Sequence, residues 1–139
     1  MRPVIKGDCP REEDGSERTY TSYVNARGDL ISRIGEYCSY CEMELDASLA
    51  VEHVLPKVPK GQKAVDEIRA LSWDNFLLAC PNCNSTKKQK EPEDDAVFWP
   101  DKANTFYYLS YREGGIVTFN PKISAESKKR IEATIELVG

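Results

Sequence analysis

The residues with most chemistry to offer are a single histidine, His53, and five cysteines: Cys9, Cys38, Cys41, Cys80 and Cys83. Four of the cysteines form two Cys-x-x-Cys pairs, Cys38-Ser-Tyr-Cys41 and Cys80-Pro-Asn-Cys83. A two-residue gap lets a tight knuckle aim both thiolates at one ion. Two knuckles then complete the closed tetrahedral set of a structural zinc site. In a reducing compartment such pairs point to Zn²⁺ rather than to disulfides, with reduced, metal-free thiols as the alternative. All of 42–79 lies between the pairs, more than the roughly 15–20 residues of a simple ribbon. The zinc is therefore expected to staple shut a loop that carries something else. Cys9 stands outside both pairs and has no assigned role.

Inside that loop is Val51-Glu52-His53-Val54-Leu55-Pro56, in which a carboxylate is the histidine's immediate neighbour. Glu52 is the kind of oxygen ligand that Mg²⁺ prefers. His53, with an ordinary pKa near 6.5, suits a general base working around neutral pH. On a regular strand the two residues point to opposite faces, so they serve one site only if a bend or a metal gathers them. Asn84 follows the second knuckle directly. Its amide oxygen either completes a magnesium site with Glu52 or caps the next helix. Asn75, in Trp73-Asp74-Asn75-Phe76-Leu77, is a polar residue in apolar surroundings, and a buried amide there satisfies loop backbone groups.

The elements that must position these residues follow from periodicity. Residues 1–16 are polar and irregular, an N-terminal arm. From Tyr20 to Ile34, Tyr20, Tyr23, Val24, Leu30, Ile31 and Ile34 recur at helical spacing, with Gly35 as terminator and Gly28-Asp29 as a place where the helix splits. Leu49 to Leu55 reads as a short strand ending at Pro56, and 57–66 as a Lys/Pro/Gly loop. Ser72 to Ala79 is predicted helical, leading to the second knuckle, and a short polar helix follows it. Thr105 to Tyr111 and Ile116 to Phe119 read as a hairpin turning at Glu113-Gly114-Gly115. Ser124 is a candidate N-cap for a last helix with Ile131, Ile135 and Val138 on one face. A chain that stops just after an apolar helix is expected to be a piece of a longer protein whose partner surface is missing.

With 139 residues, 40% hydrophobic and 30% charged, the chain fits one globular domain rather than a disordered segment. No apolar run approaches the roughly 20 residues of a membrane span, and the first residues lack the core of a secretory signal. A soluble cytoplasmic protein with no membrane partner is expected. Basic residues number 19 against 23 acidic, for a net charge of −4, which argues against tight autonomous binding to nucleic acid. Lysines nevertheless cluster at Lys57, Lys60 and Lys63 and at Lys87, Lys88 and Lys90, ahead of the acidic block Glu91, Glu93, Asp94 and Asp95. A local basic patch on an acidic protein, with a partner completing substrate binding, fits that pattern.

The ordered set Cys38-x-x-Cys41, Glu52-His53-x-x-Pro56-Lys57, Trp73-Asp74-Asn75-Phe76-Leu77 and Cys80-x-x-Cys83-Asn84-x-x-Lys87 resembles the HNH, or ββα-metal, endonucleases that carry zinc-binding knuckles. The resemblance covers roughly 36–90. It implies an α+β fold: a small ββα-metal core stapled by a four-cysteine zinc site, with flanking helices and a C-terminal hairpin plus helix. The divisions expected within a single domain are an arm and helix over 1–35, the core over 36–90, and the hairpin and terminal helix over 97–139. The resemblance also implies roles: Glu52 and Asn84 as ligands of a catalytic Mg²⁺ or Mn²⁺, His53 as general base, and Asn75 as the residue that steadies its loop. Glu52 stands where many family members have Asp or His. Lys57 and Lys87 are expected to hold flanking phosphates without reading bases.

The flanks Met1-Arg2-Pro3-Val4-x-Lys6-Gly7, Cys38-Ser39-Tyr40-Cys41-Glu42, Phe98-Trp99-Pro100-Asp101 and Asn104-Thr105-Phe106 resemble the PtuB-like HNH components of Septu-type anti-phage systems, including retron-associated ones. That likeness implies an ABC/SMC-like (PtuA-like) ATPase partner, or a complex of retron msDNA with its reverse transcriptase. The expected function is hydrolysis of a phosphodiester in DNA, tRNA or another RNA. A zinc-knuckle adaptor that cuts nothing is the rival, but it gives Glu52, His53 and Asn84 no task. A zinc hydrolase is disfavoured because four cysteines leave zinc no open position. Trp99, Phe106, Tyr107 and Tyr108 are expected to serve core or partner packing ahead of base stacking.

Overall fold

The computed structural model describes residues 1–45, 48–93 and 95–139; Asp94 of the acidic block lies outside them. Its centre is a two-stranded antiparallel sheet, β1 (Ala50–His53) and β2 (Phe76–Ala79), followed by helix α3 (Pro81–Lys87). The register pairs Ala50 with Ala79 and His53 with Phe76. Before β1 come a 3₁₀ turn (Tyr23–Ala26) and α1 (Arg27–Ile34). Between the strands lie α2 (Glu67–Leu71) and a 3₁₀ turn (Trp73–Asn75). After α3 come the helical turn α4 (Thr105–Tyr108), the hairpin β3 (Leu109–Arg112) and β4 (Ile116–Phe119), and α5 (Ala125–Val138).

This is the expected mixed architecture, with two local corrections. The stretch Ser72 to Ala79 is not a helix but a 3₁₀ turn leading into β2. All four residues of β2 are fully buried, so both of its faces are apolar and the sequence shows no alternation that would mark a strand. Thr105 to Tyr108 is a helical turn, and the hairpin begins only at Leu109. The first helix changes character at Arg27, one residue before the Gly28-Asp29 pair, and Val24 faces outward at 55% exposure.

Local chemistry sets the ends of the elements. Gly35 closes α1 with φ +78°, and a Cβ there would sit 3.0 Å from the Tyr37 ring, so a larger residue is excluded twice over. Asp66 caps α2 by accepting from the Arg69 N–H, and Ser124 caps α5 by accepting from the Ser127 N–H. α5 buries Ile131, Leu137 and Val138. One apolar cluster joins these to Phe76, Leu77 and Leu78 of β2, Leu30 of α1, and Val97, Phe98 and Trp99. Each such side chain contributes roughly 1.5–3 kcal/mol relative to exposure. Among the described residues no helix is long and apolar enough to cross a membrane.

Candidate active site

The first knuckle is a loop ahead of β1, and the second is the junction of β2 with α3. Ser39 N–H donates to the Leu78 carbonyl at 2.8 Å, which docks the first knuckle onto β2. Glu42, just after Cys41, adopts φ +66° while its N–H returns to the Cys38 carbonyl. Cys80 is the N-cap of α3, its Sγ accepting from the Cys83 N–H at 3.4 Å. The sulfurs of Cys38, Cys41, Cys80 and Cys83 all lie within 4.8 Å of one another. The Cys83 thiol draws Cys38 down to about 4, while burial pushes Cys41 up to about 11. Four sulfurs this close do not ionise together without a cation, and a closed set of four thiolates is what zinc takes. Cys9 is remote from them, its thiol donating to the Arg18 carbonyl at 3.4 Å.

On the other side of α3, an open cleft of about 620 Å³ is bordered by Glu52, His53, Lys57, Asn84 and Lys88, with Tyr23 at its edge. β1 ends at His53, and the strand end with the facing helix brings both neighbours to one cleft despite the strand's alternation. The imidazole is 8% exposed and packs edge-on against Tyr23 at 4.9 Å and Phe76 at 5.3 Å. Its Nε2 lies 3.1 Å from the Ala70 carbonyl of α2. A carbonyl only accepts, so Nε2 carries the hydrogen and Nδ1 keeps its lone pair. Burial lowers the imidazole's pKa below its ordinary value, assisted by the nearby Lys57 and Lys87 charges. The ring is thereby kept neutral and basic at Nδ1 near neutral pH.

Asn75 spends its whole amide on the loop around the histidine. Its Oδ1 accepts from the Leu55 N–H at 2.7 Å, and its Nδ2 donates to the Leu55 carbonyl at 2.8 Å and the Arg69 carbonyl at 2.7 Å. Arg69 and Ala70 are adjacent in α2, so one helix end holds both Asn75 and His53. Arg69 is anchored in turn by Glu91 at 2.7 Å, whose other oxygen accepts from the Lys60 N–H. α2 is the element that sequence reasoning missed. It is five residues long and Ile68 is 81% exposed, so it has no apolar stripe to give it away.

Glu52 is 5% exposed, and burial raises its pKa while Lys87 opposes the rise. Lys87 is fully buried: its Nζ lies 2.8 Å from Glu52 Oε1 as an ion pair and donates to the His53 carbonyl at 2.7 Å. Lys87 as a phosphate holder is therefore corrected, because its ammonium faces inward and has no exposed surface. The exposed neighbour Lys88 borders the cleft in its place. Lys57 borders the cleft, its Nζ 4.4 Å from the Tyr23 ring centroid. Asn84 is not a cap, since Cys80 fills that position; it lies within α3 on the cleft wall with Glu52. Carboxylate and amide oxygens suit a hard divalent cation, and the Lys87 ion pair meets Glu52 at Oε1. The donor set therefore fits Mg²⁺ or Mn²⁺.

A β-β-α unit closed by a four-cysteine cluster consistent with zinc, with a histidine and two oxygen donors on one cleft, defines the class of the site. The family model described as HNH endonuclease matches residues 38–90, the segment that holds every one of these groups. No curated protein matches the chain.

Proposed function

We propose that the chain is a metal-dependent HNH endonuclease that hydrolyses phosphodiester bonds. The observation that carries this reading is the shared cleft. It joins a neutral histidine whose Nδ1 keeps its lone pair to Glu52 and Asn84, whose oxygens suit a divalent cation. Glu52 and Asn84 would hold Mg²⁺ or Mn²⁺, which would supply Lewis-acid stabilisation of charge on the phosphate and its leaving oxygen. His53 takes a proton from the attacking water at Nδ1, and the Ala70 carbonyl stabilises the imidazolium through Nε2–H. Asn75 keeps the loop in register, while Lys57 and Lys88 hold flanking phosphates.

The finer assignment is an effector nuclease of an anti-phage complex beside an ABC/SMC-like ATPase. Its supports are the flanking motifs, the net charge of −4, and exposed apolar residues on the C-terminal hairpin and the turn before it. Phe106, Tyr107 and Ile116 are 61%, 58% and 59% exposed. Trp99, by contrast, belongs to the core, and Tyr108 stacks on Phe98 at 4.0 Å. The test is cleavage of duplex DNA, single-stranded DNA and tRNA with Mg²⁺ or Mn²⁺, by the chain alone and with the ATPase. Cutting abolished by EDTA and by His53→Ala is expected. Undiminished cutting by a folded His53→Ala protein, or none in any mixture, overturns the assignment.

A further inference from the structure

Lys87 ends α3 with its ammonium in the interior, at 0% exposure and 5.9 Å from the Trp99 ring centroid. Withdrawing an ammonium from water is costly, and an apolar residue of the same length would fill this space at no such cost. Its two partners are consecutive residues of β1 and both belong to the site: Glu52 Oε1 at 2.8 Å and the His53 carbonyl at 2.7 Å. One cation thus joins the side chain of the oxygen donor to the backbone of the base. α3 also carries Asn84, three residues earlier, so the same helix presents one metal-facing oxygen donor and fixes the other.

We propose that Lys87 is a positioning residue for the catalytic metal site, gripping Glu52 Oε1 and the His53 backbone so that Glu52 ligates through its other oxygen. The proposal rests on the endonuclease reading, which makes Glu52 a ligand. An ion pair whose only task was stability would hold the fold without touching metal affinity. A positioning pair sets how the carboxylate is aimed, and removing partners behind a metal ligand typically weakens metal binding 10–100-fold.

The experiment is Mn²⁺ titration of the full zinc-loaded chain, by calorimetry and by the paramagnetic resonance of free Mn²⁺, for the unmutated protein, Lys87→Met, Glu52→Gln and the double variant. Lys87→Met is expected to keep its zinc and its circular dichroism, yet to bind Mn²⁺ about 10–100-fold more weakly. The double variant should lose little more than Glu52→Gln alone, because one interaction is removed twice. A folded Lys87→Met protein within twofold of the unmutated affinity overturns the proposal while leaving the endonuclease reading in place. Should Lys87→Met fail to fold, the ¹⁵N signal of the Lys87 ammonium in the unmutated chain decides. That signal is expected to shift with Mg²⁺ and with Glu52→Gln, and indifference to both overturns the proposal. An unmutated chain that binds no Mn²⁺ overturns the metal-site reading itself and this inference with it.

Discussion

Lys88 has the least comfortable backbone of the residues bordering the cleft, with φ +50° and ψ −128°, where a side chain costs about 1–3 kcal/mol. The conformation lets its N–H finish α3 on the Asn84 carbonyl at 2.9 Å and turns the chain away from the helix. Strain of this kind persists where the surroundings demand it, and here it accompanies an exposed cation on the cleft wall. Lys88→Gly is therefore expected to raise stability by about 1 kcal/mol, net of the entropy that glycine loses. Thermal melting should move up by about 4 °C. The same variant should bind duplex DNA more weakly, with the slope of log affinity against log salt reduced by about 0.9. An unchanged slope would remove Lys88 from substrate contact, whatever happened to the melting point. Lys87, one position earlier, is the opposite case, because its charge serves the interior. The sequence shows two adjacent lysines, and the spacing Asn84-x-x-Lys87 singles one out without showing that it points inward. Which one points inward is decided by the helix phase, which α3 sets from its cap at Cys80.

Cys80 combines three tasks at the level of elements. It follows β2, caps α3 through Sγ, and supplies one of the clustered sulfurs. Cys80→Ser separates these, because a hydroxyl still accepts from an N3 amide but is no thiolate for zinc. The cap survives and the staple does not. Expected results are zinc content falling well below one per chain and a loss of about 4 kcal/mol or more in unfolding free energy. His53→Ala, in contrast, should keep its zinc. A Cys80→Ser chain as stable as the unmutated one would refute a structural role for the cluster. The knuckles, β1 and α5 were legible in the sequence because their signals are local: two-residue cysteine gaps, a run ending in proline, a serine before a periodic stripe. β2 was not, since Phe76-Leu77-Leu78-Ala79 is buried on both faces and carries no period. Only the ordered motif, read as a resemblance, pointed to a hairpin. α2 was missed for the reverse reason, being too short and too exposed to bury a stripe, although its two carbonyls orient the base and its loop.

On the scale of the whole molecule, the matched segment 38–90 is held from outside itself. The N-terminal arm lies against the 3₁₀ turn that carries Asn75, where Lys6 Nζ donates to the carbonyls of Trp73, Asp74 and Phe76 at 2.8–3.0 Å. The same ammonium pairs with Asp101 at 3.6 Å, and Val4 N–H bonds the Pro100 carbonyl. Trp73 Nε1 returns a bond to the Gly7 carbonyl, and Arg33 holds the Lys6 carbonyl. One buried cation thus ties the arm, the Asn75 turn and the segment after α3 together. Breaking a buried pair from one side costs about 3–5 kcal/mol, so Lys6→Met should destabilise the chain by about that much at neutral pH, leaving Asp101 unpaired. Burial also lowers the pKa of Lys6 in the folded state, outweighing the pull of Asp101 and Asp74. Between that lowered value and the ordinary lysine value of about 10.4, the unfolded chain binds more protons than the folded one. Stability contributed by this group therefore rises with pH across that window. The gap in urea unfolding free energy between the unmutated chain and Lys6→Met is expected to widen from pH 7 to pH 10. Comparing the two proteins cancels every other group that titrates alike in both. A gap that stays flat or narrows would mean that the Lys6 ammonium is not desolvated in the folded chain. The arm would then lie against the Asn75 turn without being locked into it.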